Sequence, residues 1–70
     1  MQLIIVEEEG KEPIIGEMLN CLTKEETKEC GTFGQLVQIR RLDNRAIESF
    51  AYGWRFATFE DLHSYVKRTH

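Results

Sequence analysis

What most constrains the fold of this chain is that its 70 residues must build a single small hydrophobic core. A chain of this length buries only about 60% of the surface that its unfolded form exposes. The stability that remains after the conformational entropy cost is on the order of 3–5 kcal/mol. We therefore expect one domain, residues 1–70, with little room for a deep pocket. A binding protein is favoured over an enzyme.

The N-terminal segment and the cysteines bear on the compartment. The apolar run Leu3–Val6 follows no basic residue and is too short for a signal peptide or a membrane span. Cys21 and Cys30 fit free thiols in a reducing compartment, and a disulfide between them is the alternative. These features predict a cytoplasmic protein that has no membrane partner.

The charge of the chain is divided unevenly between its two halves. Residues 1–31 carry eight carboxylates against three lysines, which gives a net charge of −5. Residues 32–70 carry four acidic and six basic side chains, which gives +2 and leaves a total of −3. Such asymmetry indicates a binding surface rather than a reaction centre.

The first half begins with a predicted strand followed by a predicted helix. Leu3–Val6 is mostly β-branched and predicts a buried strand over residues 2–8. Pro13 suits the first turn of a helix. The alternative is that residues 12–18 form a second strand paired with the first. The apolar residues that follow Pro13 recur at the spacings of a helical stripe: Ile14, Ile15, Met18, Leu19 and Leu22.

A second helical segment is predicted by its capping residues. Thr23 and Glu26 form a T-x-x-E capping box, in which each side chain binds the backbone N–H of the other residue. The helix is expected over residues 24–30, and Gly31 is well suited to end it.

The second half predicts a hairpin. Residues 35–42 alternate loosely as a strand, and Asp43 with Asn44 is typical of a turn. Residues 46–57 are expected to return as one long strand, with Gly53 as a bulge. The spacing of the apolar residues in that segment also fits a helix, which is the alternative.

The last segment predicts a helix that begins at Thr58, with Asp61 completing a weaker capping box. Phe59, Leu62 and Val66 recur at helical spacing and are expected to face inward. Basic residues near the end of this helix complement its dipole.

Taken in order, the predicted elements are β-α-(α)-β-β-α. They predict an α+β fold in which two or three helices pack on one face of a small antiparallel sheet of about three strands. Such a sheet has two open edges, so edge pairing into a homodimer is a further alternative.

Carboxylates cluster in two places in the acidic half, after the first strand and on the capped helix, where three of them share one face. Carboxylates fixed on a helix can imitate a row of phosphates and block a basic nucleic-acid-binding surface. The plainer interpretation is a solvated face that keeps the protein soluble. The candidate partner-binding residues are Glu7, Glu8, Glu9, Glu25, Glu26 and Glu29.

Aromatic and small residues alternate within residues 46–57. In one strand, Phe50, Tyr52, Trp54 and Phe56 would share a face. Aromatic rings can stack on bases while neighbouring arginines hold phosphates. The competing interpretation is that these rings are buried in the core. The overall acidic charge also argues against a phosphate binder. The alternative nucleic-acid-binding residues are Arg40, Arg41, Arg45, Trp54 and Arg55. The small residues of the opposite face, which indicate close approach of a helix or a partner, are Ser49, Ala51 and Gly53.

The residues that could hold a metal or act as nucleophiles form no motif. Cys21, Cys30, His63 and His70 lack the spacing of zinc ligands. A glycine-rich phosphate loop is also absent from the sequence. We predict no catalytic residue, no metal and no cofactor.

These observations predict a small non-catalytic interaction protein. The most concrete version is a DNA-mimic inhibitor, whose acidic face occupies a basic nucleic-acid-binding surface of a host protein. A short chain that is acidic in one half and lacks catalytic motifs is typical of proteins that phages and mobile elements direct against a host. The alternatives are a nucleic-acid-binding module that uses the arginine–aromatic hairpin, and a structural homodimer.

Overall fold

Five antiparallel strands and two helices make up the fold in the computed structural model, which describes residues 2–69. The α+β class is confirmed, and the sheet has more strands than the roughly three that the sequence predicts. In chain order the elements are β1 (Leu3–Val6), β2 (Ile14–Cys21), α1 (Lys24–Glu29), β3 (Val37–Arg41), β4 (Ile47–Phe50), β5 (Trp54–Phe56) and α2 (Phe59–Thr69).

The sheet is strongly curled. Its strand order is β4-β3-β2-β1-β5, so β4 and β5 form the two edges. In a flat sheet these edges would lie about 19 Å apart. Only residues 51–53 connect β4 to β5, and the chain from Phe50 to Trp54 spans at most about 14 Å. The sheet therefore bends until its two edges approach each other.

The hydrophobic core lies inside this curl. Ile4, Val6, Val37 and Ile39 form its centre and are fully buried. Burying one such side chain contributes about 1.5–3 kcal/mol. The partly buried side chains that pack around this centre include Ile14, Met18, Cys21, Phe50 and Trp54.

The segment after Pro13, which the apolar spacing predicts as a helix, is instead the strand β2. It lies in the middle of the sheet and pairs with β1 on one side and with β3 on the other. The hairpin alternative is therefore the correct one. Gly16 allows β3 to approach closely, since a Cβ at this position would lie 2.7 Å from the backbone oxygen of Arg40.

Two features of β2 explain why its apolar spacing resembles that of a helix. Ile14 and Ile15 point to opposite faces of the sheet, and neither is exposed, so neighbouring positions are both apolar. A register shift between Met18 and Asn20 then inserts Leu19 and changes the face that later residues occupy. Adjacent apolar residues on both faces, followed by one change of face at the register shift, place the apolar residues of this strand at the spacings of a helix.

The predicted hairpin of β3 and β4 is confirmed. In its turn, the side chain of Asn44 accepts a hydrogen bond from the backbone N–H of Ala46 at 2.9 Å. The single long strand predicted over residues 46–57 is wrong, because residues 51–53 turn the chain away from β4. Gly53 has a φ of +80° in this turn and is not a bulge within a strand.

The helix α1 begins where its capping box predicts. The Thr23 hydroxyl accepts from the backbone N–H of Glu26 at 3.1 Å, and the Glu26 carboxylate accepts from that of Thr23 at 3.0 Å. Thr27 is fully buried. Its hydroxyl donates to the Thr23 carbonyl at 2.9 Å and accepts from the backbone N–H of Leu36 at 2.8 Å. These bonds join α1 to the segment that leads into β3.

The helix α2 also begins at its predicted cap. The backbone N–H of Thr58 donates to the Asp61 carboxylate at 2.7 Å, and the N–H of Asp61 donates to the Thr58 hydroxyl at 3.2 Å. Leu62 is half-buried, but Phe59 is 92% exposed and Val66 44% exposed. The prediction that these two side chains face inward is wrong, because α2 turns Asp61 and Leu62 toward the sheet and Phe59 and Val66 project from another side of the helix.

Candidate protein-interaction groove

A groove opens where the loop after β1 faces the connection between β4 and β5. Three separate segments border it, and they meet only because the sheet curls. The residues that line the groove are Glu7, Glu8, Glu9, Thr32, Leu36, Ser49, Phe50, Ala51, Tyr52 and Gly53.

Backbone hydrogen bonds hold the three segments together. The N–H of Glu7 donates to the carbonyl of Gly53 at 2.7 Å, and the N–H of Gln35 donates to that of Ala51 at 3.2 Å. Gly34 has a φ of +93°, and a Cβ at this position would lie 2.5 Å from the carbonyl oxygen of Ala51. The shape of the groove is therefore set by the backbone.

One side of the groove is an acidic wall, which consists of Glu7, Glu8 and Glu9. Two of these carboxylates are partly neutralised, since Glu8 pairs with Lys11 at 3.2 Å and Glu7 pairs with Arg55 at 2.7 Å. Glu9 makes no ion pair with any other residue of the described range 2–69. Since neither cation lines the groove, the acidic wall presents negative charge to it.

Arg55 joins the acidic wall to α2. Its guanidinium contacts the Glu7 carboxylate at 2.7 Å and the Asp61 carboxylate at 2.6 and 2.9 Å. The hydrogen bonds from Arg55, followed by that from the Thr58 backbone N–H, hold the pKa of Asp61 far below its usual range. The hydrogen bonds with Asp61, followed by those with Glu7, raise the pKa of Arg55. Asp61 therefore remains ionised, and its contact with Arg55 ties α2 to the edge of the sheet.

Two aromatic residues line the groove: Tyr52, which is 77% exposed, and the half-buried Phe50. The predicted aromatic series does not share one environment, because the turn over residues 51–53 interrupts it. Phe50 and Trp54 pack against the core. Phe56 is exposed, and its ring stands at 82° to that of Trp54 with the centroids 6.0 Å apart.

Three small residues are also part of the groove lining. Ser49, Ala51 and Gly53, whose small size indicates close approach of another element, all line the groove. That alternation of small with aromatic residues is the sequence signal for this part of the lining. Thr32 and Leu36 carry no such signal, since only the tertiary fold brings them there.

The glutamates of α1 lie outside the groove. Glu25, Glu26 and Glu29 are exposed, and the Glu26 carboxylate is engaged in the cap at Thr23. Glu29 is separated from Thr32, a lining residue, by a segment that spans at most about 11 Å. Glu29 therefore lies near the end of the groove at Thr32.

The arginines of the nucleic-acid alternative are partly neutralised. Arg41 contacts two carboxylates at 2.6 and 3.4 Å, and Arg55 contacts two more. Arg40 and Arg45 are exposed and make no ion pair with other residues in the range 2–69. Trp54 is half-buried, and its indole N–H donates to the carbonyl of Gln35 at 2.8 Å. This ring is poorly placed to stack on a base.

The cysteines are free thiols in this structure. Cys21 is half-buried and Cys30 is exposed, and the alternative disulfide is not formed. Over residues 2–69 no group of three or more His, Cys, Asp or Glu side chains is arranged to hold a metal ion. His70 lies outside the described residues.

Comparisons with protein-family models, with curated proteins and with solved structures find no match to this chain. Neither helix in the described range is long and apolar enough to cross a membrane.

Proposed function

We propose that this chain is a small non-catalytic interaction module that binds a basic surface of another protein. The binding site is the groove between the acidic wall and Tyr52. The observation that carries the proposal is the lining of this groove, which combines three carboxylates, an exposed tyrosine and small residues without a cation among them.

The groove suits a lysine or arginine side chain of the partner. Its charged end can pair with the acidic wall, and its apolar stem or guanidinium can lie on the ring of Tyr52. An exposed ion pair contributes only about 0.2–1 kcal/mol, and an exposed cation–π contact about 0.5–1 kcal/mol. Useful affinity therefore requires several basic residues on the partner. The charge would act mainly on the association rate and would make binding sensitive to salt.

We further infer that the partner is a nucleic-acid-binding protein of the cytoplasm, and that the chain inhibits it by occupying its basic surface. Proteins that bind nucleic acid concentrate lysine and arginine on one face. The α1 glutamates supply additional negative charge beside the groove, and the two free thiols favour a reducing compartment. The ion pairs of Arg41 and Arg55 make direct binding of nucleic acid the weaker alternative.

The first experiment is a pull-down from nuclease-treated bacterial lysate with washes at low and at high salt, followed by mass spectrometry. We expect a basic DNA- or RNA-binding protein that is retained at low salt and released at high salt. Nucleic acid recovered without any protein, and only when nuclease is omitted, would instead favour the arginine surface and contradict the proposal.

Variants of the groove then locate the contact. We expect Glu9→Lys and Tyr52→Ala each to weaken capture of the partner. The matched controls are Glu29→Lys, which makes the same charge change on α1, and Phe33→Ala, which removes a ring that is 85% exposed outside the groove. Glu29→Lys should act only modestly, and Phe33→Ala should have no effect. Equal losses from Glu9→Lys and Glu29→Lys would show that overall charge, rather than the groove, selects the partner.

A further inference from the structure

The helix α2 carries an apolar strip that the sheet does not cover. Phe59 is 92% exposed and Val66 44% exposed. With 3.6 residues per turn, both project from the same side of the helix, and the exposed His63 lies beside them. The half-buried Leu62 borders this strip and forms a shallow depression together with Leu3. A large exposed ring beside an apolar depression is typical of an association surface.

The charges of α2 make the helix complementary to itself. Glu60 and Asp61 lie in its first turn and Lys67 and Arg68 in its last, so these charges cancel. Glu60 and Lys67 are seven residues apart and therefore lie on the same flank of the apolar strip. Asp61 and Arg68 lie on the opposite side of the helix from the strip, where Asp61 contacts Arg55.

We propose that this strip binds α2 of a second copy of the chain in antiparallel orientation. A twofold axis near His63 would place Phe59 of each copy against Val66 of the other. Equivalent flanks meet in an antiparallel pair of helices, so Glu60 of each copy would face Lys67 of the other. The pairing forms two ion pairs and covers both Phe59 rings.

The charge pattern favours a second copy over other occupants. In a parallel pair Glu60 would face the opposite flank, where Leu62 rather than a cation lies. Because the charges of α2 cancel, this surface has no net attraction for a strongly basic or acidic partner. Two such strips cover less than the roughly 1,200 Å² of a standard stable interface, so we expect a weak, reversible dimer. Such a dimer would present two grooves in one particle.

The test is sedimentation equilibrium of the full chain at concentrations from micromolar to millimolar. We expect a reversible monomer–dimer equilibrium. Phe59→Ala should raise the dissociation constant by about tenfold or more, because it removes the largest apolar side chain of the strip. Phe33→Ala removes a ring that is almost equally exposed elsewhere and should leave the dissociation constant unchanged. A monomer at every concentration, or association that Phe59→Ala leaves intact, would overturn the proposal.

A charge swap tests the orientation. Glu60→Lys and Lys67→Glu should each weaken association, whereas the double variant Glu60→Lys/Lys67→Glu should restore it. Arg68→Glu makes the same change in the last turn on the side away from the strip, and it should have little effect. Circular dichroism of each variant shows whether the helix is retained. Single variants that weaken association without recovery in the double variant would overturn the antiparallel arrangement.

Discussion

The two helices of this chain are attached to the sheet in different ways. α1 is anchored by the fully buried Thr27, whose hydroxyl binds backbone groups of Thr23 and Leu36. α2 is held at its first turn by the ion pair of Asp61 with Arg55, and it leaves Phe59 exposed.

This difference indicates two levels of stability. α1 shares buried groups with the sheet, so it should unfold together with it. α2 buries Leu62 and Tyr65 only in part and is also held by polar contacts near its N-terminus, so it should open locally at lower cost. α2, with its exposed apolar strip, is suited to association, whereas the curled sheet holds the segments that form the groove.

The largest expected effect is the difference in the free energy of unfolding between a substitution in the sheet and one in α2. Ile4→Ala deletes a fully buried side chain and should cost about 2–5 kcal/mol, which approaches the whole stability of a domain of this size. Phe59→Ala should change the free energy of unfolding by less than about 0.5 kcal/mol. Urea unfolding followed by the fluorescence of Trp54 measures both. A large loss from Phe59→Ala would place α2 in the cooperative core.

Gly16→Ala tests the central strand by the sign of its effect. The added Cβ would lie 2.7 Å from the backbone oxygen of Arg40, so the variant should be destabilised by about 1–3 kcal/mol. In a helix the same substitution would stabilise by about 1 kcal/mol. Thermal unfolding of the two proteins distinguishes the outcomes, and a higher melting temperature for the variant would contradict the pairing of β2 with β3.

Thr27→Val tests the anchor of α1. The substitution preserves shape but leaves the backbone N–H of Leu36 without its acceptor, so we expect a loss of about 1–3 kcal/mol. Thr27→Ser retains the hydroxyl and should lose less. Urea unfolding of the pair gives the comparison. Equal losses in the two variants would mean that packing, rather than the hydroxyl, anchors α1.

Asp61→Asn tests the attachment of α2. The variant loses the ion pair with Arg55, so the backbone amides of α2 should exchange with solvent faster while those of β1 and β3 remain protected. Hydrogen exchange resolved by residue measures this difference. Glu12→Gln is the control, because Glu12 is exposed, lies outside α2 and contacts no cation within residues 2–69. A uniform change over the whole chain would contradict a local role.

The smallest expected effect is the response of α2 to acid. The pKa of Asp61 is lowered in the folded protein, so its contribution is complete above the pKa of an unfolded aspartate. That contribution is lost only as the pH falls through the lower folded pKa. α2 should therefore keep its attachment at about pH 4, where an ordinary aspartate is half protonated. An NMR titration of the Asp61 carboxyl carbon checks this, and an ordinary midpoint would contradict the contact.

The sequence was sufficient where neighbouring residues decide the structure. The β-branched run of β1 predicts its strand, and capping residues at Thr23 and Thr58 predict where both helices begin. Turn chemistry at Asn44 predicts the β3–β4 hairpin. In each case the decisive hydrogen bonds or side-chain preferences lie within a few residues along the chain.

The candidate site could be predicted only in part. The negative charge of residues 7–9 is visible in the sequence, and the small residues at Ser49, Ala51 and Gly53 indicate a close approach. Their meeting in one groove is not visible, because it depends on strands at opposite edges of a curled sheet.

By itself, the sequence determined the charge asymmetry, the first strand, the caps and the β3–β4 turn, since these follow from local chemistry. Only the tertiary structure decided that residues 14–21 form a strand. Burial on both faces and a register shift give the apolar residues of this strand the spacing of a helix, so the sequence pattern alone is misleading. The tertiary structure also decided that Trp54 packs against the core while Phe59 stays outside. Both outcomes depend on pairing between segments that are distant along the chain, which local preference does not set.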